Sequence, residues 1–179
     1  RWERELKDKI LFDFAENLKK AEIKEPELGY VKKTYFSIKG VVKKVLQTHP
    51  ESSVMWRLKV PSNASLTFSL ALHPDIWDKA EGEGVEFDIH ISKAPLFGRA
   101  EEMHPVFSKT INPRHNPSDR RWHLYSLSLR DYAGKTSLIE FRTKMAKGFK
   151  SDFNTAGWGD MLLLREPLGE NRISSKKYF

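Results

Sequence analysis

Tryptophans and a run of arginines are the residues of this chain best suited to binding chemistry. Trp77, Trp122 and Trp158 lie in or beside turn-forming stretches. An indole offers a broad apolar face that can stack on the C–H face of a sugar ring, while neighbouring Asp, Asn and Arg groups hydrogen-bond its hydroxyls. The loop Arg114-His115-Asn116-Pro117-Ser118-Asp119-Arg120-Arg121 gathers forked guanidiniums, which suit sulfate, phosphate or carboxylate. The competing reading of this loop is structural, with Asp119 pairing an arginine to close it before a strand. For the tryptophans the competing reading is packing in a core or at a strand end. Trp56 is assigned to the core, because its parity groups it with Val54 and Leu58. The predicted ligand-binding set is therefore Trp77, Arg114, Arg120, Arg121 and Trp158.

Other candidate chemistry is thinner. Asp75, Asp78, Glu81 and Glu83 supply oxygen ligands of the kind calcium takes, so calcium is the possible cofactor, although their spacing matches no defined calcium loop. His49, His73, His90, His104, His115 and His123 show no HExxH-type spacing. Asn63-Ala64-Ser65 is formally a glycosylation acceptor. No Gly-rich phosphate loop, no Gly-x-Ser-x-Gly elbow and no Cys nucleophile is present. No catalytic residue is predicted, and the chain reads as a non-enzyme unless a catalytic domain follows it in the native protein.

Composition narrows the class. With 39% hydrophobic and 31% charged residues over 179 positions, the chain is globular and long enough to bury a core without disulfides. It contains no cysteine, which excludes a disulfide framework and any Cys-ligated zinc. The apolar runs are too short to span a bilayer. The chain opens Arg1-Trp2-Glu3-Arg4, without an initiator Met, which predicts a processed or excised segment. A formal charge of +7 suits an acidic partner, yet residues 1–45 hold 12 Lys and Arg against 8 Asp and Glu and the remainder is thinly spread. A solvated, lysine-rich surface follows, and nucleic acid is not among the expected partners.

Those residues must be positioned by secondary structure, which hydrophobic periodicity predicts. Leu6, Ile10, Phe14 and Leu18 recur at steps of four, with favourable Glu3–Lys7, Glu5–Lys9 and Glu16–Lys20 pairs. This predicts a helix over 2–21, an arm and linker over 1–29, and a possible assembly through that helix. From Thr34 the period changes to two. Val54–Val60, Leu66–Leu72 and Val85–Ile91 alternate apolar and polar residues, and further strands are expected at Val106–Ile111, Trp122–Leu129, Ser137–Thr143 and Met161–Leu164. Between them stand turn formers such as His73-Pro74-Asp75 and Asn112-Pro113. In the strand from Trp122 the apolar phase changes between Leu124 and Tyr125, which predicts a bulge. Many short strands without interleaved helices mean an all-β, antiparallel jelly-roll sandwich over 30–166, with Trp56, Phe68, Leu70, Phe87, Ile89, Leu127 and Phe141 inside. Residues 167–179 read as a C-terminal tail.

The stretch Arg120-Arg-Trp-His-Leu-Tyr-Ser-Leu-Ser-Leu-Arg-Asp-Tyr-Ala-Gly134, with Ala156-Gly157-Trp158-Gly159-Asp160, resembles the closing strands of a galactose-binding-like jelly roll. Phe36–Gly40, Thr48–Ser53, Trp56–Pro61, Ile76-Trp77-Asp78 and Gly84–Ile89 extend the likeness over Tyr35–Leu164. It is similar to an ectodomain of bacterial envelope proteins, of the type found beside sulfatase-like domains. The resemblance implies a non-catalytic extracytoplasmic module, in the periplasm or at the cell surface, whose partner is a glycan or another envelope protein. Glycan recognition or protein bracing is the expected role. A structural subunit of a periplasmic or cell-surface assembly, and an accessory domain of a sulfatase-like enzyme, are the alternatives.

Overall fold

The computed structural model describes residues 9–79, 84–94, 101–146 and 155–166. Eleven strands run through these segments: β1 (Ile10–Asp13), β2 (Glu22–Lys24), β3 (Lys32–Ile38), β4 (Val41–Thr48), β5 (Ser52–Lys59), β6 (Ala64–Leu72), β7 (Val85–Lys93), β8 (His104–Ile111), β9 (His123–Ser128), β10 (Thr136–Met145) and β11 (Ala156–Arg165). Alternation explains most of them. Val54 and Trp56 of β5, Phe87, Ile89 and Ile91 of β7, and Ile139 and Phe141 of β10 point inward, while the residues between them face outward.

The strands form two antiparallel sheets. One has six strands in the order β3-β4-β11-β6-β9, with β1 added against the second half of β11; the other has the order β2-β5-β10-β7-β8. From β4 to β11 successive strands cross between the sheets, except where the hairpin-like pair β7 and β8 stay together, so both inner faces close on one core. Trp158 sits at its centre, with Phe87 and Phe141 ring centroids each 5.1 Å away in edge-to-face contact. Its indole N–H donates to Thr143 Oγ1 at 3.0 Å, and Thr143 in turn shares a 2.8 Å hydrogen bond with Thr48. A fully buried tryptophan thus keeps its one polar group satisfied.

The expected N-terminal helix is not found among the described residues. Over the described part of 2–21 the chain is strand β1, a turn and a single 3-10 turn at Leu18–Lys20, and no α-helix occurs among the described residues; Leu6 lies outside them. A step of four is shared by both periods, since it is about one helical turn and also two strand repeats. What decides is the partner. Ile10 and Phe12 pair with Leu164 and Leu163 on β11, and Phe14, with no exposed surface, is wedged edge-on against Trp56 and Phe141 at 5.1 and 5.2 Å. Strand β2 likewise pairs with β5. Residues 10–24 therefore belong to the sandwich, and no helix is there to mediate assembly.

The bulge expected in β9 is also absent. His123 to Ser128 pair with Leu70 to Ser65 in unbroken register. Leu124 simply points outward, 74% exposed, and Trp122 turns onto the outer face of the six-stranded sheet. That face is shaped by glycines. A Cβ on Gly157 would lie 2.6 Å from the Phe36 ring, and one on Gly159 would lie 2.9 Å from the Trp122 ring, so both aromatics rest directly on β11 backbone. No helix among the described residues is long and apolar enough to cross a membrane.

Candidate functional site

The predicted arginine loop and Trp77 meet at the end of the sandwich where β6 and β8 finish. After β6, His73 opens a 3-10 turn at Pro74–Ile76, its Nδ1 accepting the Asp75 N–H at 3.3 Å. Ile76 is buried, which anchors the turn and leaves Trp77 half-buried beside it. The Trp77 indole N–H donates to the Leu72 carbonyl at 2.9 Å. After β8, a second 3-10 turn at Pro117–Asp119 folds the chain back, and Asp119 accepts the Asn112 N–H at 2.8 Å. A proline at the start of each turn pre-sets the backbone for it.

Arg120 joins the two loops. Its Nε donates to the Pro113 carbonyl at 2.9 Å and its Nη2 to Asp78 Oδ1 at 2.5 Å, while its guanidinium lies 5.8 Å over the Trp77 ring. Trp77 packs against the core below and carries this cation above. It serves as the seat of Arg120 more than as an open platform. Arg114 and Arg121 are exposed on the same loop. Asp78, read from sequence as a calcium ligand, is the partner of Arg120; Asp75 lies beside His73, and Glu81 and Glu83 fall outside the described residues. Among the described residues no group of three or more His, Asp or Glu gathers as a metal site would require.

Behind the loop lies a buried pair. Asp119 Oδ1 and His123 Nε2 are 3.4 Å apart, and both side chains are almost wholly out of water. Burial holds the His123 imidazole below its ordinary range, with Arg121 and Lys109 pushing the same way and Asp119 opposing. What pins the loop from beneath is the Asn112 N–H on the other Asp119 oxygen, so Asp119 closes the loop through the backbone and not through the arginine partner expected from the sequence.

Trp158 does not belong to the site. It has no exposed surface, and both faces are packed by Phe68, Phe87 and Phe141, so no sugar can reach it. The flanking glycines serve the close approach of Phe36 and Trp122 on the opposite face of the same strand. Trp122 itself donates its N–H to the Val41 carbonyl at 3.1 Å and lies under Lys43, which pairs with Asp160 at 2.7 Å.

Sequence reasoning missed the outer face of the five-stranded sheet. Along β10, Glu140, Arg142 and Lys144 alternate with inward residues and sit opposite His90, Asp88 and Glu86 of β7. Lys144 bonds Asp88 at 2.5 Å, and Arg142 bonds Glu140 at 2.7 Å. Parity alone would have placed these charges in one row, but which strand faces them is a matter of topology.

No known family model matches this chain. An uncharacterized protein of Archaeoglobus fulgidus is 40% identical over 125 residues, which is 66% of this chain and 30% of that protein. The chain thus spans under a third of the relative it matches. Among solved structures, the CBM51 module of Clostridium perfringens GH95 in complex with methyl-galactose superposes with a TM-score of 0.50 at 14% identity, covering 85% of this chain and 98% of that one. TmCBM61 in complex with β-1,4-galactotriose gives 0.50 at 10% identity over 86% and 94%. The CBM22 tandem domain of Paenibacillus barcinonensis Xyn10C gives 0.51 at 15% identity over 92% and 46%. At these identities the likeness establishes a shared fold, the jelly roll of carbohydrate-binding modules.

Proposed function

We propose that this chain is a non-catalytic glycan-recognition module that engages an acidic or sulfated sugar at the loop end, through Arg120 with Arg114 and Arg121 beside it. The observation that carries the reading is Arg120, held against Asp78 across a sequence separation of 42 residues and seated over Trp77. A guanidinium fixed at two of its nitrogens loses little freedom when its remaining amino group meets a ligand oxygen. Asp78 is 80% exposed and has a second oxygen to accept from a sugar hydroxyl. Donor and acceptor therefore stand side by side on turns that buried anchors hold in place.

The fold supports the reading by analogy, since two of the similar modules were solved with methyl-galactose or galactotriose bound. An extracytoplasmic setting, where such glycans are met, belongs to the same proposal. The test is calorimetric titration of sulfated and neutral oligosaccharides at low and physiological salt, with wild type and an Arg120→Ala, Arg121→Ala variant. Sulfated ligands should bind more weakly as salt rises, because exposed charges are screened. The double variant should lose at least tenfold in affinity. Binding untouched by the double change, or no binding to any glycan, would refute the assignment.

A further inference from the structure

The outer face of the five-stranded sheet carries a groove of about 290 Å³. Its floor is made by Ser53, Met55, Leu138, Glu140 and Arg142 of β5 and β10; Glu22 and Lys24 of β2, with Glu101 and Met103 just before β8, complete the lining. On the outward face of a strand a carboxylate ordinarily reaches water. Glu140 does not: it is only 8% exposed, one oxygen accepting from Ser53 at 2.5 Å and the other from Arg142 at 2.7 Å. Burial alone would raise its carboxyl, but the bonds from Arg142 and Ser53 outweigh this and hold it below the usual carboxylate range.

Such a pair is a poor device for stability. Taking two ions out of water costs several kcal/mol each, and apolar replacements of similar volume are often as stable. It is a good device for binding, because it fixes an acceptor and a donor in advance of the ligand. Arg142 remains about a third exposed, so N–H groups beyond the one facing Glu140 can donate. Met55 stands directly opposite Glu140 across the strand pair and, with Leu138 and Met103, supplies adaptable apolar surface. The floor pair cancels, and Glu22, Lys24 and Glu101 on the rim leave carboxylates outnumbering cations, the opposite of the arginine loop. Hydrogen-bonding groups beside apolar patches, with no excess of cations to draw an anion, match an uncharged ring with hydroxyl edges and C–H faces.

We infer that this groove is a second carbohydrate-binding surface, one that takes neutral sugar rings on the sheet face, separate from the arginine loop and selecting for a different charge. The inference rests on the glycan reading above. A groove near the small end of ligand sites suits a short stretch of a chain.

The test is NMR titration of the amide-labelled protein with neutral xylo-, cello- and galacto-oligosaccharides, repeated with Met55→Trp, Glu140→Gln and the Arg120→Ala, Arg121→Ala variant. Amides at 53–55 and 138–142 should shift, affinity should fall at least tenfold in Met55→Trp and several-fold in Glu140→Gln, and added salt should change little. The double arginine variant should bind neutral chains as wild type does. Because a large side chain on the sheet face can disturb folding, thermal melting accompanies Met55→Trp, and where that variant melts early the shift map and Glu140→Gln decide. Neutral chains that shift only loop residues 73–79 and 112–122, or shift nothing, overturn the groove. Sulfated ligands lost in the arginine variant, with the groove silent, leave the loop reading standing; neutral binding at the groove with the loop silent does the reverse.

Discussion

Replacing Phe14 by Ala tests whether the N-terminal segment is part of the sandwich. The ring has no exposed surface and meets Phe12, Trp56 and Phe141 edge-on at 5.0, 5.1 and 5.2 Å. Removing it deletes a full aromatic burial and leaves a cavity bounded by rings from both sheets. Such truncations cost about 3–5 kcal/mol. The surrounding side chains are large and mutually packed, and the indole of Trp56 is tethered by its N–H to the Asn17 carbonyl at 3.0 Å, so little collapse can offset the loss. For a domain of this size the midpoint should fall by roughly 2–4 °C per kcal/mol, or about 6–20 °C. The assay is urea unfolding followed by tryptophan fluorescence, with Leu28→Ala, at a residue 98% exposed, as the neutral control. A loss below about 1 kcal/mol, indistinguishable from the control, would mean that the segment is a detachable arm and that its pairing with β11 is wrong.

Other substitutions probe the core and the polar contacts. Thr143→Val should cost about 1–3 kcal/mol by stranding the buried Trp158 N–H and the Thr48 hydroxyl, yet leave glycan affinity unchanged; lost affinity in a folded variant would return Trp158 to the binding site. Gly157→Ala should destabilise by about 1–3 kcal/mol, because its Cβ meets the Phe36 ring at 2.6 Å, and a neutral result in urea unfolding would contradict that packing. His123 is held below its ordinary range by burial, so its contribution is complete above the unfolded value near 6.5 and is lost as pH falls from there toward the folded value. His123→Asn should therefore flatten the loss of stability as pH falls below about 6.5; an unchanged slope in pH-dependent melting would count against the buried neutral imidazole. Glu140 is also held below its unfolded value, by Arg142 and Ser53 against the opposing effect of burial, so its stabilisation is present above the unfolded value near 4.5 and disappears as pH falls through the folded value. Arg142→Ala should reduce that acid sensitivity, read from the same melting series.

Much of the fold was legible in the residues themselves. Large apolar residues at every second position in Val54–Val60, Leu66–Leu72 and Val85–Ile91 point to strands with one buried face, because successive side chains on an extended backbone point to opposite sides. The same rule placed Trp56, Phe68, Leu70, Phe87, Ile89 and Phe141 in the core, where each is at most 1% exposed. The arginine loop and Trp77 stand out by residue type as candidates, since guanidiniums and indoles suit oxygen-rich ligands, and their binding role is the proposal made above. Tertiary structure alone decided the rest. The step-of-four pattern at Ile10 and Phe14 satisfies helix and strand alike, and only the vacant edge of β11 beside it selects the strand. The rings of Phe36 and Trp122, far away in sequence, need the glycine positions of the Gly-Trp-Gly run empty. Likewise the sequence names Arg120, Asp78, Glu140 and Arg142 as charges without saying which are paired. Pairing depends on which strands and loops become neighbours, and that is fixed by the closure of two sheets around one core, a long-range event that no local spacing encodes.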